Sequence, residues 1–108
     1  MSRHDPSVSL RHMRDHAHEL VALMVGRSRA GLESDRVLAL AVVRLLEIIG
    51  EAASRIPAEE RASRPEIPWP AIVGLRNRLI HGYDDVDLDI VWAIVSTDLP
   101  ALLSRLSD

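Results

Sequence analysis

The chain has 108 residues and contains no cysteine, no lysine and no phenylalanine, with one tyrosine and two tryptophans. The absence of cysteine excludes a disulfide framework and any zinc or redox site built on thiolates. The scarcity of aromatic residues argues against a β-sandwich, because strands are enriched in aromatic and β-branched side chains. Apolar residues still make up 47% of the chain, and nearly all of them are aliphatic, which suits the packing of helix on helix.

Long apolar runs are also absent. None approaches the roughly 20 residues that a membrane-spanning helix needs, and the first residues lack the basic and then apolar layout of a signal peptide. We therefore expect a cytoplasmic protein without a membrane partner. All 13 basic residues are Arg, and the formal net charge is −3. This charge argues against a protein that coats nucleic acid nonspecifically, so we expect no DNA partner, and any site for a polyanion must be local.

The apolar residues follow the 3.6-residue period of α-helices, and the length fits one domain over residues 1–108. Asp5 and Pro6 should begin the first helix, Ser34 or Asp35 should cap the second, Asp87 should cap the last one, and Pro100 should kink or divide that last helix near residues 96–99. The predicted elements are helices over about 6–26, 35–55, 68–81 and 88–106, a short helical turn near 58–63, and loops over 27–32 and 84–87. The sequence therefore predicts an all-α bundle of four to five helices.

The second predicted helix is apolar on more than one face, which indicates either a central position or a partner subunit covering its second side. Gly50 lies inside this helix, where it costs about 1 kcal/mol relative to Ala. A glycine here suggests that another backbone comes close, although a tolerated glycine explains it equally well.

Two groups of polar residues resemble metal sites, but each lacks a residue that such a site needs. The stretch around Asp85 and Asp87 begins like a calcium-binding loop, but Ile90 stands where such a loop needs glycine. His12 and His16 are one helical turn apart, but the sequence offers no clear third ligand. We therefore expect no metal site and no cofactor. The two Trp residues are expected in the core rather than as stacking platforms for bases.

Residues 76–83, Arg-Asn-Arg-Leu-Ile-His-Gly-Tyr, carry the groups most suited to chemistry. On a straight α-helix, Arg76 and His81 would diverge by about 140° around the axis, whereas Asn77 and Arg78 would share a face with His81 and support it. Either the helix unwinds near Gly82, or two copies meet across a twofold axis and pool their side chains. We favour pooling, because two imidazoles and several guanidinium groups can cleave RNA without a metal. On its own, the pattern also fits an Arg in a salt bridge and a His at a helix end.

Three stretches of the chain resemble the HepT-like toxins of the HEPN superfamily: Leu46-Glu-Ile-Ile-Gly-Glu-Ala52, Pro65-Glu-Ile-Pro-Trp69 and Leu75-Arg-Asn-Arg-Leu-Ile-His-Gly-Tyr83. The resemblance is clearest over about residues 35–106, and the Arg-x4-His-x-Tyr motif between Trp69 and Trp92 is its specific part. It implies a homodimer of HEPN-type helical bundles, in which facing motifs form a composite ribonuclease site. It also implies a partner, an MntA-like nucleotidyltransferase antitoxin, which in some systems attaches AMP to the motif tyrosine.

Roles for individual residues follow from the same resemblance. Arg76 would stabilise the phosphate, His81 would act as acid or base, and Tyr83 would accept AMP. Asn77 would orient the site, and Glu51, which matches the Gly-Glu of the family's second helix, would lie near the cleft.

Two functions stay open at this stage. The first is a metal-independent endoribonuclease toxin, which the complete Arg–His pair favours. The second is a catalytically silent helical dimer that binds its nucleotidyltransferase and accepts AMP, which the net acidity and the Asp-rich stretch beside the motif favour.

Overall fold

The computed structural model describes residues 5–82 and 85–106, with the side chain of His81 outside the description. Within these residues the chain forms eight α-helices, one π-helix and two short strands. In chain order they are α1 (Pro6–Met24), α2 (Arg29–Ser34), α3 (Arg36–Ser54), α4 (Ala58–Ala62), α5 (Trp69–Val73), α6 (Leu75–Leu79), β1 (Ile80–Gly82), β2 (Asp85–Val86), α7 (Leu88–Ala93), the π-helix (Ile94–Asp98) and α8 (Leu99–Leu106).

Both long helices begin at the predicted capping residues. The Asp5 carboxylate accepts a hydrogen bond from the backbone N–H of Ser7 at 2.9 Å, and Pro6 occupies the first turn of α1. The Asp35 carboxylate accepts one from the N–H of Leu38 at 3.0 Å at the start of α3. Each cap satisfies a donor that the first helical turn leaves without an internal partner.

Helix α3 lies at the centre of the bundle, because it contacts α1, α2, α5 and α6. This arrangement explains most of its two-sided apolar pattern. The fully buried side chains of the core come from several elements: Met13, Leu20, Leu32, Val42, Leu46, Ile49, Ile56, Leu79 and Val91. Burying one such side chain contributes about 1.5–3 kcal/mol. The outer side of α3 nevertheless exposes Val37 and Leu40.

At Gly50 the backbone of α5 lies against α3. A Cβ at this position would lie 2.9 Å from the backbone carbonyl oxygen of Ile72, a distance that forces something to shift. The close approach of another backbone, one of the two interpretations of this glycine, is therefore confirmed. The contact brings the α5–α6 segment, and with it Arg76, against α3.

Two predictions between residues 27 and 81 were wrong. The loop expected over 27–32 is largely the helix α2, which Ser28 caps by accepting a hydrogen bond from the N–H of Gly31 at 3.3 Å. The third main helix, expected to continue to Ile80 or His81, is divided at Gly74 into α5 and α6. It also ends earlier than predicted, at Leu79.

The chain after Leu79 forms an antiparallel hairpin in place of the predicted helix end and loop. Ile80 pairs with Val86, and Gly82 pairs with Asp85. The N–H of Asp87 donates to the carbonyl of Leu79 at 3.0 Å, so a distant segment binds a carbonyl at the end of α6. Because the helix ends before His81, the helical spacing that was expected to place Asn77 and Arg78 on its face does not apply.

The last part of the bundle agrees with the sequence. The Asp87 carboxylate accepts hydrogen bonds from the N–H groups of Asp89 and Ile90, so it caps α7 as predicted. The predicted division of the last helix before Pro100 takes the form of the π-helix over Ile94–Asp98. Proline lacks the N–H that a regular helix would use, and a widened turn accommodates the loss.

These elements make an all-α helical bundle, as predicted. Trp69 is buried, and its ring N–H donates to the carbonyls of Arg61 and Arg64. Trp92 is half-buried and packs against the core. No helix in the described ranges has both the length and the apolar character that crossing a membrane requires.

Candidate functional site

Arg76 projects from α6 toward α3. Its Nε donates to Oε2 of Glu47 at 3.2 Å, and its side chain is 74% exposed, against 22% for that of Glu47. An exposed ion pair of this kind contributes at most about 1 kcal/mol. The guanidinium group can therefore exchange Glu47 for a phosphate at small cost while α3 holds it in place.

Arg76 lines a shallow depression between α3 and α6, which we call the Arg76 depression. Its lining consists of Glu47, Gly50, Glu51, Ser54, Val73, Arg76 and Asn77. Three of the predicted site residues, Glu51, Arg76 and Asn77, therefore meet there. The lining contains two carboxylates and one guanidinium group, and Arg44 and Arg55 also pair with these carboxylates.

Glu51 does not contact Arg76 directly. Its Oε2 accepts a hydrogen bond from Nε of Arg55 at 3.3 Å, one helical turn further along α3. Glu47 is the residue that sequence reasoning missed. It stands one turn before Glu51 on the same face of α3, so the i,i+4 spacing could have identified it as a second acidic group at the site.

Arg78 is separated from this depression. It lines a different cavity, together with Asp98 and Arg105. Residues two apart on a helix diverge by about 200° around the axis, so Arg76 and Arg78 face different sides of α6. A single copy of the chain therefore does not bring the two motif arginines to one point.

The other motif residues follow directly after α6. The backbone of His81 belongs to β1, which starts immediately after the helix. The unwinding alternative thus occurs, two residues earlier than Gly82, and the 140° divergence of a continuous helix no longer applies. Tyr83 lies outside the described residues. Pooling across a twofold axis stays a prediction.

The acidic stretch after the motif has structural roles. Besides the cap formed by Asp87, Oδ1 of Asp89 accepts a hydrogen bond from Nε of Arg29 at 2.7 Å and connects α7 to α2. The hydrogen bond to Asp89 raises the pKa of Arg29 above its ordinary value, as does the nearby charge of Glu33. These two aspartates are therefore occupied within the bundle.

Similarity to known proteins identifies the family of this chain. A sequence profile described as "Ribonuclease HepT-like" matches residues 13–108. A relative from Thermococcus cleftensis, named as a probable ribonuclease HepT, is 44% identical over 71 residues, which are 66% of this chain and 64% of the relative. A relative from Caldanaerobacter subterraneus subsp. tengcongensis, named as a candidate RNase, is 35% identical over 95% of this chain and 92% of its own length.

A third relative, from Methanocaldococcus jannaschii, is also named as a candidate RNase. It is 34% identical over 94% of this chain and 94% of its own length. A comparison with solved structures gave no match. The profile covers far more than half of the chain, and two relatives above 30% identity are covered almost completely. The chain therefore belongs to the HepT-like ribonuclease family.

Proposed function

We propose that this protein is the toxin of a toxin–antitoxin system, an endoribonuclease that needs no metal ion, and that the Arg76 depression is one half of its site. The observation that carries the proposal is the placement of Arg76. The chain belongs to a ribonuclease family, and Glu47 holds the exposed guanidinium group of Arg76. Helix α6, which carries Arg76, ends at Leu79, two residues before His81 in β1.

The proposed chemistry is attack of an RNA 2′-hydroxyl on the neighbouring phosphorus. One neutral His81 removes the hydroxyl proton, and a second, protonated His81 gives a proton to the leaving 5′-oxygen, which produces a 2′,3′-cyclic phosphate. Imidazole serves both roles because its ordinary pKa lies near neutrality. Arg76 stabilises the charge that develops on the phosphoryl oxygens, and Asn77 orients the bound phosphate.

Two features support a homodimer with a composite site. One chain supplies one His81, whereas the proposed reaction uses two imidazoles. A second copy adds another Arg76 and another His81. The exposed Val37 and Leu40 lie on the helix that also carries Glu47 and Glu51, and we propose that they belong to the same seam.

We further propose that a nucleotidyltransferase antitoxin controls the toxin by attaching AMP to Tyr83. Tyr83 stands two residues after His81 in the sequence. An AMP group there would bring a phosphate charge near Arg76 and His81, where it would occupy the anion site that RNA needs.

A second candidate function is a silent dimer that binds the antitoxin and accepts AMP without cleaving RNA. The observation that favours it is that Arg76 is already paired with Glu47, beside the further carboxylate of Glu51. In this case the motif would serve recognition of the antitoxin.

One experiment separates the two functions. Purified protein, freed of any partner, is incubated with a fluorescent RNA with and without EDTA, beside Arg76→Ala, His81→Ala and the control His18→Ala, which changes an exposed His on α1. We expect equal cleavage with and without EDTA, cyclic phosphate ends, full activity of the control, and a loss of about 10²–10⁴ in rate for His81→Ala. Cleavage that requires magnesium, or an active His81→Ala protein, would overturn the mechanism. If the RNA stays intact, the result supports the second candidate function, the silent dimer.

The antitoxin step has its own test. Mass spectrometry of protein co-expressed with its nucleotidyltransferase should show one added AMP, which Tyr83→Phe abolishes while the variant stays toxic. Neutralisation without an adduct would mean that the antitoxin acts by covering the site.

A further inference from the structure

A second cavity lies on the side of α6 that faces away from the Arg76 depression. It has a volume of about 240 Å³ and is formed between α3, α6, α8 and the π-helix. Its floor is aliphatic, with Leu46 and Ile49 from α3, Leu75 from α6 and Leu102 from α8. We call it the α3–α6–α8 cavity. Neither the proposed cleavage of RNA nor the modification of Tyr83 uses it.

The rim of this cavity carries uncompensated positive charge. Arg78 from α6 and Arg105 from α8 both line it, and Asp98 from the π-helix is its acidic residue. Within residues 5–82 and 85–106, neither the side chain of Arg78 nor that of Arg105 has a hydrogen bond or an ion pair. Other arginines of the bundle, such as Arg29 and Arg76, are paired with carboxylates. Two guanidinium groups against one carboxylate leave about one positive charge at the mouth, which a single anion would balance.

The lining excludes some ligands and favours others. None of the described residues that form the cavity is aromatic, so a nucleobase would find no ring to stack on. The volume is below the roughly 300–1,000 Å³ of sites for drug-sized ligands, so the ligand must be small. An alkyl chain matches the aliphatic floor, and each methylene group that it buries increases the affinity about fourfold.

We propose that the α3–α6–α8 cavity binds a medium-chain aliphatic carboxylate. The alkyl chain lies on the floor formed by Leu46, Leu75 and Leu102, and the carboxylate accepts hydrogen bonds from Arg78 and Arg105. Asp98 on the same rim limits the favoured charge to one, so a monoanion binds better than a phosphate dianion. This inference goes beyond the ribonuclease proposal and does not depend on it.

Titration of the full-length protein with octanoate, followed by NMR of the leucine and isoleucine methyl groups and by calorimetry, tests the proposal. We expect saturable binding with shifts at Leu46, Leu75 and Leu102. Butyrate, which is four methylene groups shorter, should bind about two orders of magnitude more weakly, and octylammonium, with the same chain and opposite charge, should not saturate the site.

Matched arginine variants give the decisive comparison. Arg78→Gln and Arg105→Gln change exposed side chains, so they should keep the fold, and each should weaken octanoate binding about tenfold. Arg11→Gln on α1, which lines a different depression, should bind as the unchanged protein does. Absence of saturable binding, equal binding of octylammonium, or unchanged affinity in both cavity variants would each overturn the proposal. Because the readout is binding, its failure is distinct from any failure to cleave RNA.

Discussion

At the scale of single residues, Glu47 is expected to position Arg76 for the proposed reaction. Glu47 is the partly buried member of the pair with Arg76, so it holds the guanidinium group in position before substrate binds. Its negative charge also opposes the approach of a phosphate. Glu47→Gln keeps the length of the side chain and removes that charge. We expect kcat to fall by up to about fivefold, because the exposed pair contributes at most about 1 kcal/mol to the positioning of Arg76, while KM stays the same or falls.

Glu51→Gln is the matched control for this effect. It removes a carboxylate from the same helix face, but that carboxylate engages Arg55 rather than Arg76. The kcat of Glu51→Gln should stay within about twofold of that of the unchanged protein. The free energy of unfolding of both variants should stay within about 1 kcal/mol of its value. Equal losses in the two variants would mean that general acidity of the depression, not the contact with Arg76, matters.

Gly50 gives a prediction about stability. Gly50→Ala adds a Cβ against the carbonyl of Ile72, and the overlap should outweigh the better helix propensity of Ala. We expect a net loss of about 1–3 kcal/mol in the free energy of unfolding, measured with urea.

Gly31→Ala in α2 provides the control for Gly50→Ala. The nearest atom to its added Cβ is Oγ of Ser28 at 3.9 Å, an ordinary contact, so the substitution should be neutral or stabilise by up to about 1 kcal/mol. A stable Gly50→Ala protein would show that α5 can retreat from α3.

At the scale of elements, the cap of α7 is expected to stabilise the segment that follows the hairpin. Asp87→Ala removes the acceptor of two backbone hydrogen bonds and should cost about 0.5–2 kcal/mol. Asp85→Ala makes the same chemical change two residues earlier, at an exposed position that caps no helix, and should stay within about 0.5 kcal/mol. Thermal denaturation of both variants at one pH compares them directly, and equal effects would assign the loss to charge instead of capping.

Elements with local signals were predicted well from the sequence. The long helices α1 and α3 begin at the predicted caps, because Asp5 and Asp35 act on their own first turns. The division of the last helix before Pro100 was also predicted, because a missing N–H is a property of the residue itself.

Elements that depend on distant contacts were missed. The helix α2 has only six residues, including Gly31, and it buries Leu32 against the rest of the bundle. The early end of α6 is accompanied by a hydrogen bond from Asp87 to Leu79, eight residues apart. At the site, the resemblance to HepT-like toxins grouped Arg76, Asn77 and Glu51, and these three line one depression, whereas the geometry of one short helix separates Arg78 from them.

At the scale of the whole molecule, the bundle places two different cavities on two sides of one five-residue helix. Arg76 on α6 belongs to the polar Arg76 depression, and Arg78 belongs to an aliphatic cavity with a cationic rim. The same helix is connected to α3 through Glu47 and to the start of α7 through the hydrogen bond from Asp87 to Leu79. The two motif arginines therefore have different surroundings, although they are only two residues apart.

The composite site makes a quantitative prediction about mixtures of subunits. If each cleft uses two imidazoles and each copy supplies one His81, a dimer with one His81→Ala copy is inactive. Random pairing of equal amounts of unchanged and His81→Ala protein leaves about a quarter of the dimers intact. Cleavage per total protein should therefore fall to about a quarter, because loss of one proton transfer lowers the rate by about 10²–10⁴. If each copy acted alone, half of the activity would remain.

The mixture is prepared by co-expression with two different tags, and its composition is checked by mass spectrometry. A parallel mixture with His18→Ala, whose exposed side chain lies on α1, should keep full activity. Half-activity with His81→Ala, or a monomer by light scattering at micromolar concentration, would contradict the shared site.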